Sequence, residues 1–138
     1  MSDSRGERAL DTAPAMTEER LLQALEAWNS HDVDRVLAFM IEDATYHASV
    51  GAEHLGRTYV GREQVREGVE RFFATYPDGR FIDTEVVVAG DQGSAEWTFV
   101  FSRDGTQAQI RGCDLFEFEG DLIKTKNAFR KSVPRNGD

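Results

Sequence analysis

Apolar residues recur at helical spacing in the first half of the chain and alternate in the second. Leu21, Leu25 and Trp28 follow one another at i, i+4, i+7, with Ala24 beside them, which predicts an amphipathic helix over 17–30. Thr17 is placed to cap it, and Glu18 and Glu19 suit the positive end of its dipole. Asn29-Ser30-His31-Asp32 breaks the pattern, and Asp32 caps a short second helix with Val33, Val36, Leu37 and Met40 on one face. Thr45–Ser49 is short and β-like. Val50–Gly61, with three glycines, reads as a loop. Val65, Val69, Phe72, Phe73 and Tyr76 form an apolar stripe that predicts a third helix over Arg62–Tyr76, ended by Pro77-Asp78-Gly79.

Everything beyond that point predicts strands: Phe81–Ala89, Ala95–Arg103, Thr106–Phe118 and Leu122–Val133. Gly90–Gly93, Asp104-Gly105 and Glu119–Asp121 supply the turns, and Asp-Gly is a strong two-residue hairpin signal. Alternation puts Trp97, Phe99 and Phe101 on one face of their strand, and Phe116 and Phe118 on one face of the next. Helices first and an antiparallel meander last predict an α+β fold, with the helices covering one sheet face. A curled sheet wrapped on a long helix leaves a conical pocket. Residues 1–16 and 134–138 lack periodicity and read as a disordered leader and a flexible tail around one domain, 17–133.

Composition narrows the partners. The 138 residues suit one domain, and 40% apolar content with nine Phe and two Trp gives it a core. A net charge of −9 repels phosphate backbones and anionic membranes, so neither nucleic acid nor membrane is an expected partner. The lone Cys113 cannot form an internal disulfide, and no signal-like apolar stretch opens the chain; a cytoplasmic location is expected. Three dispersed histidines lack metal-ligand spacing, and no phosphate-binding glycine loop occurs, so no metal or organic cofactor is expected.

Several stretches in a fixed order resemble one superfamily. They are Trp28-Asn29-Ser30-His31-Asp32, Phe39 through His47 with its Asp43-Ala44-Thr45 step, Gly61-Arg62-Glu63-Gln64-Val65, Arg111 through Phe118, Gly120-Asp121-Leu122-Ile123, and Lys126 through Lys131. Over about residues 17–132 the chain resembles nuclear-transport-factor-2-like proteins of the SnoaL-like polyketide cyclase and ketosteroid isomerase branch. The resemblance implies a cone-shaped, mostly antiparallel sheet around N-terminal helices (a cystatin-like cone), a small apolar substrate, cofactor-free proton transfer beside a carbonyl, and a homodimer. It fixes neither the substrate nor the reaction subtype, and the alternative is a non-catalytic binding or dimerisation module, because this fold hosts both.

Asp114 is the most informative candidate. Alternation places it with Gly112, Phe116 and Phe118 on the inward face. A carboxyl there can donate to an enolate when neutral or act as a base when ionised. Its position resembles the oxyanion-binding Asp of ketosteroid isomerases. The helix tyrosine and strand aspartate of that pattern would fall near Ala24 and on Ala48, so isomerisation by that route is not expected. The remaining polar candidates are Tyr46, which shares parity with Ala48, His47, which a bulge would have to turn inward, and Asn127, assigned to a face with Thr125 and Phe129 and opposite Lys124 and Lys126. Trp97, Phe99, Phe116, Phe118 and Trp28 are the expected pocket walls. The cations Lys124, Lys126, Arg130 and Lys131 are read as outward charge, Arg111 as a partner for Glu117 or a neighbouring strand, and Cys113 as an unreactive outer-face thiol. The outer face, with Val100, Leu115 and Ala128, is expected to be apolar enough to pair two copies.

Overall fold

A computed structural model describes residues 14–132. The predicted leader, up to residue 13, and the tail, 134–138, lie outside the described residues. Met16, read above as leader, is buried in the core.

The chain runs α1 (Glu18–Asn29), α2 (Val33–Leu37), β1 (Met40–His47), β2 (Thr58–Val60), α3 (Arg62–Thr75), β3 (Arg80–Ala89), β4 (Gln92–Arg103), β5 (Thr106–Glu119) and β6 (Leu122–Arg130). Thr17 caps α1 by accepting from the Arg20 amide at 3.1 Å, and Asp32 caps α2 through the amides of Asp34 and Arg35. Leu21, Ala24, Leu25, Ala27 and Trp28 form the buried stripe of α1. The Asn29 side chain fixes that helix to the sheet: its amide donates to the Phe81 carbonyl at 2.9 Å and its oxygen accepts from the Phe81 amide at 2.8 Å.

All six strands join one curved, unclosed sheet in the order β2-β1-β6-β5-β4-β3. Every pairing is antiparallel except β1 with β6. The Asp104-Gly105 turn has positive φ at both residues, as a two-residue hairpin requires. Two local readings change. The first strand begins at Met40 rather than Thr45. The stretch taken as a loop contains β2, which pairs Thr58, Tyr59 and Val60 with the end of β1. Three residues flanked by glycines carry too little periodicity to announce a strand; Tyr59 is held by its contacts, stacked on Tyr46 at 5.6 Å and lying where any Cβ on Gly68 of α3 would collide with its ring.

One irregularity controls the inner face. Between β5 and β6, Glu117 faces Thr125 while Phe118 faces Ile123, so Lys124 is an extra, bulged residue. The bulge inverts parity along β6. Ile123 and Lys126 both point into the core, whereas simple alternation from either one would turn the other out.

Candidate active site

Three inward rows of side chains cross β4, β5 and β6. Trp97 lies opposite Gly112, Asp114 opposite both Ala95 and Ala128, and Phe116 opposite Lys126. Parallel pairing brings Tyr46 of β1 beside Lys126. Asp114 therefore has an indole one step toward one end of the cone and an ammonium one step toward the other. Both reach it: Trp97 Nε1 donates to one carboxylate oxygen at 2.9 Å and Lys126 Nζ to the other at 2.9 Å.

Asp114 is 0% exposed and Lys126 3%. Two unpaired charges so buried would be very costly, whereas a close, hydrogen-bonded pair is tolerated. The ammonium is also cradled by aromatic faces, with Nζ 4.5 Å from the Trp28 ring centroid and 5.2 Å from that of Tyr46. Gly112 is required by the same arrangement, because a Cβ there would lie 2.4 Å from the Trp97 ring and 2.4 Å from the Phe129 carbonyl.

The Tyr46 phenol is buried, and its pKa is pushed well above the ordinary tyrosine value, first by burial and then by the negative charge of Asp114. It is a neutral donor throughout the physiological range. No described residue hydrogen-bonds its hydroxyl.

Trp28, Tyr46, Phe72, Phe81, Trp97, Phe99, Lys126 and Arg130 surround a hollow of about 20 Å³, space for a single water. A recess of about 220 Å³ adjoins it, sharing Tyr46 and Phe72 and continuing past Val50, Arg57, Tyr59 and Tyr76.

The SnoaL-like domain profile matches residues 21–125. The chain belongs to the SnoaL-like domain family. Solved structures share the fold. A ketosteroid isomerase-like protein from Catenulispora acidiphila in complex with trimethylamine is 21% identical, with TM-score 0.71 over 86% of this chain and 89% of that one. A candidate polyketide cyclase from Xanthomonas campestris is 20% identical, with TM-score 0.67 over 80% and 87%. TerC, co-crystallised with polyporic acid, is 19% identical, with TM-score 0.69 over 83% and 91%. No curated protein matches. At these identities the likeness establishes the cone and nothing about substrate.

Within this SnoaL-like cone, Tyr46, Trp97, Phe99 and Trp28 meet around the hollow, and Asp114 lies behind it, bonded to the lining residues Trp97 and Lys126. His47 and Asn127 do not. They pair with each other across β1 and β6 on the outer face, where the His47 Nδ1 lies 2.8 Å from Thr58 Oγ1 and both border an open groove with Gln92, Leu115 and Glu117. No bulge rotates His47 inward, and the Lys124 bulge is what puts Asn127 outside. Phe116 and Phe118 are inward but do not line the hollow; they stack on each other at 5.9 Å and fill the cone elsewhere. Of the two partners considered for Arg111, the neighbouring strand supplies it: Arg111 pairs with Glu96 of β4 at 3.3 Å, not with Glu117. Cys113 lies on the outer face, and partial burial raises its thiol pKa. Ala128, expected outside, faces in.

Lys126 is the site residue that sequence reading assigned to solvent. One signal pointed to it: a carboxylate among phenylalanines needs a cation, Arg111 has the wrong parity to share its face, and the adjoining strand carries Lys124, Lys126 and Arg130. Among the described residues no group of three or more His, Cys, Asp or Glu side chains could hold a metal, and no described helix is long and apolar enough to cross a membrane.

Proposed function

We propose that this SnoaL-like chain is a small-molecule enzyme of the cyclase or isomerase type, which moves a proton next to a carbonyl without metal or organic cofactor. One observation carries the reading: a fully buried carboxylate, Asp114, is held by Trp97 and Lys126, and these two side chains line an aromatic hollow together with the Tyr46 phenol, whose hydroxyl has no hydrogen-bond partner among the described residues. Asp114 accepts a proton from the carbon next to the substrate carbonyl. The electron pair moves onto the carbonyl oxygen, and the Tyr46 hydroxyl and the Lys126 ammonium donate to the enolate so formed. Asp114 then returns the proton to carbon, at the same or a neighbouring position. Trp97 and Lys126 fix the carboxylate so that little reorganisation accompanies the transfer. Phe72 stands between the hollow and the larger recess. A turn of its ring would merge the two into a space that a compact apolar substrate can occupy.

The test is turnover of a panel of β-keto and epoxide substrates by the wild type, Asp114→Asn and Tyr46→Phe. Loss of about a hundredfold or more in kcat for Asp114→Asn, with the fold intact, is expected. Unchanged turnover on an active substrate removes Asp114 from the mechanism.

The narrowness of the hollow, about 20 Å³, favours a second reading: a non-catalytic binding or dimerisation module in which the Asp114–Lys126 pair is structural. Ligand binding without turnover on any of the panel, or a ligand-bound structure in which the hollow stays filled, would favour the module.

A further inference from the structure

The rim of the cone carries the opposite sign to the rest of the molecule. The chain has a net charge of −9. Yet a recess of about 300 Å³ at the rim is lined by Arg103, Arg130 and Lys131 with Ser49, Val50, Ile110 and Ser132, and by no acidic residue. The neighbouring recess adds Arg57 and Arg71, again without an acid in its lining. Arg71 is paired with Glu67. Among the described residues Arg57, Arg103, Arg130 and Lys131 have no carboxylate within ion-pair distance; Arg35, Arg80 and Lys124 share that condition, but these three line neither recess.

Arg130 is the cation that joins rim to interior. It borders both the 300 Å³ recess and the aromatic hollow, two residues along β6 from Ala128 and level with Gly112. Its guanidinium is half-buried and donates through Nη1 to the Tyr76 hydroxyl at 2.9 Å, at the end of α3. A phenol uses one of its five N–H groups and neutralises none of its charge. A planar, preorganised guanidinium with donors to spare, beside an apolar cavity, is built to take a carboxylate or a comparable delocalised oxyanion. At the hollow, the Tyr46 hydroxyl is a second donor without a hydrogen-bond partner among the described residues.

We propose that the ligand of this cone is an amphiphilic organic anion. Its carboxylate, or an equally acidic enol or phenol oxygen, binds Arg130 at the rim with Arg103 and Lys131 alongside, and its apolar ring body points inward past Phe72 toward Trp28 and Trp97. This deepens the functional reading above and rests on the same hollow. It adds the charge of the substrate and the end by which it is held. The basic rim of this acidic protein also draws such an anion to the opening over the repulsion of the remaining surface.

The two tryptophans of the chain both line the hollow, so their fluorescence reports its occupancy. The probes are naphthoate and its neutral methyl ester, titrated at fixed ionic strength into the full chain. The acid is expected to bind at least about tenfold more tightly than the ester. Arg130→Gln should remove that preference by weakening the acid alone, and Arg103→Gln, an exposed position, should reduce it without risk to the fold. Tyr76→Phe, which frees the guanidinium, should keep it. Equal binding of acid and ester, binding of neither, or full competition by inorganic phosphate at equal concentration would each overturn the proposal, the last because it would leave the apolar body no part in recognition. The readout is binding, so an absent acid preference retires the anion while leaving the Asp114 chemistry standing. A failure of Asp114→Asn to affect turnover leaves the acid preference measurable.

Discussion

Lys126 and Asn127 are neighbours on β6 with opposite circumstances. Lys126 points into the cone, 3% exposed, with its charge held by Asp114 and two aromatic rings. Asn127 points away from it, beside His47, in an open groove where water competes for every polar contact. The two faces of one sheet thus treat the same chemistry differently. On the inner face a charge is present only because a partner has been placed for it, and removing either leaves the other stranded. On the outer face a lost partner is replaced by solvent. This is why the inner face can hold a poised acid, and why His47, a good general base by residue type, has no reacting partner where it stands.

Substitutions can break this contrast, and the largest effect is expected at the pair. Lys126→Ala should cost about 3–5 kcal/mol in urea unfolding, because it strands a buried carboxylate. Replacing both partners, as in Asp114→Leu with Lys126→Met, should recover much of that loss. If the single variant costs no more than an outer-face change, the pair is not desolvated as the structure has it. Next comes Trp97→Phe, which keeps the ring but removes the donor to the Asp114 carboxylate; about 1.5–3 kcal/mol is expected. Gly112→Ala should cost about 1–3 kcal/mol by forcing the Trp97 indole and the β6 backbone away, with a shift in tryptophan emission as the independent sign.

A smaller effect separates Tyr46 by pH. Its folded pKa is raised above the unfolded value, so its contribution is complete below about pH 10 and is lost as the pH climbs above that toward the raised folded value. Ultraviolet titration should find one of the three tyrosines ionising only as the fold is lost, and Tyr46→Phe should remove that late step. A Tyr46 that titrates like a free phenol in the folded protein would mean that the hollow is wet. The smallest effects belong to the outer face: His47→Ala and Asn127→Ala should each stay within about 0.5 kcal/mol of the parent and leave turnover unchanged. A large loss of activity at His47 would move the chemistry to the wrong side of the sheet and overturn the site.

Much of this was legible in the chain. The amphipathic stripes of α1 and α3, the caps at Thr17 and Asp32, the Asp104-Gly105 hairpin and the alternation of Trp97, Phe99 and Phe101 depend on contacts between near neighbours in sequence, which residue type and spacing encode directly. Alternation also turned Asp114 inward, and Tyr46 with it. The short β2 strand, the parallel meeting of β1 with β6 and the inward turn of Lys126 were not legible. Each depends on which strands lie side by side and on a single bulged residue, Lys124, and a pattern with a period of two says nothing about which face is inner once one residue is inserted. The sequence by itself therefore determined a SnoaL-like α+β cone with an acid on its inner wall. Only the tertiary structure decided that the acid's partner is a lysine rather than a histidine or an asparagine, because burial, not local pattern, is what obliges two opposite charges to meet.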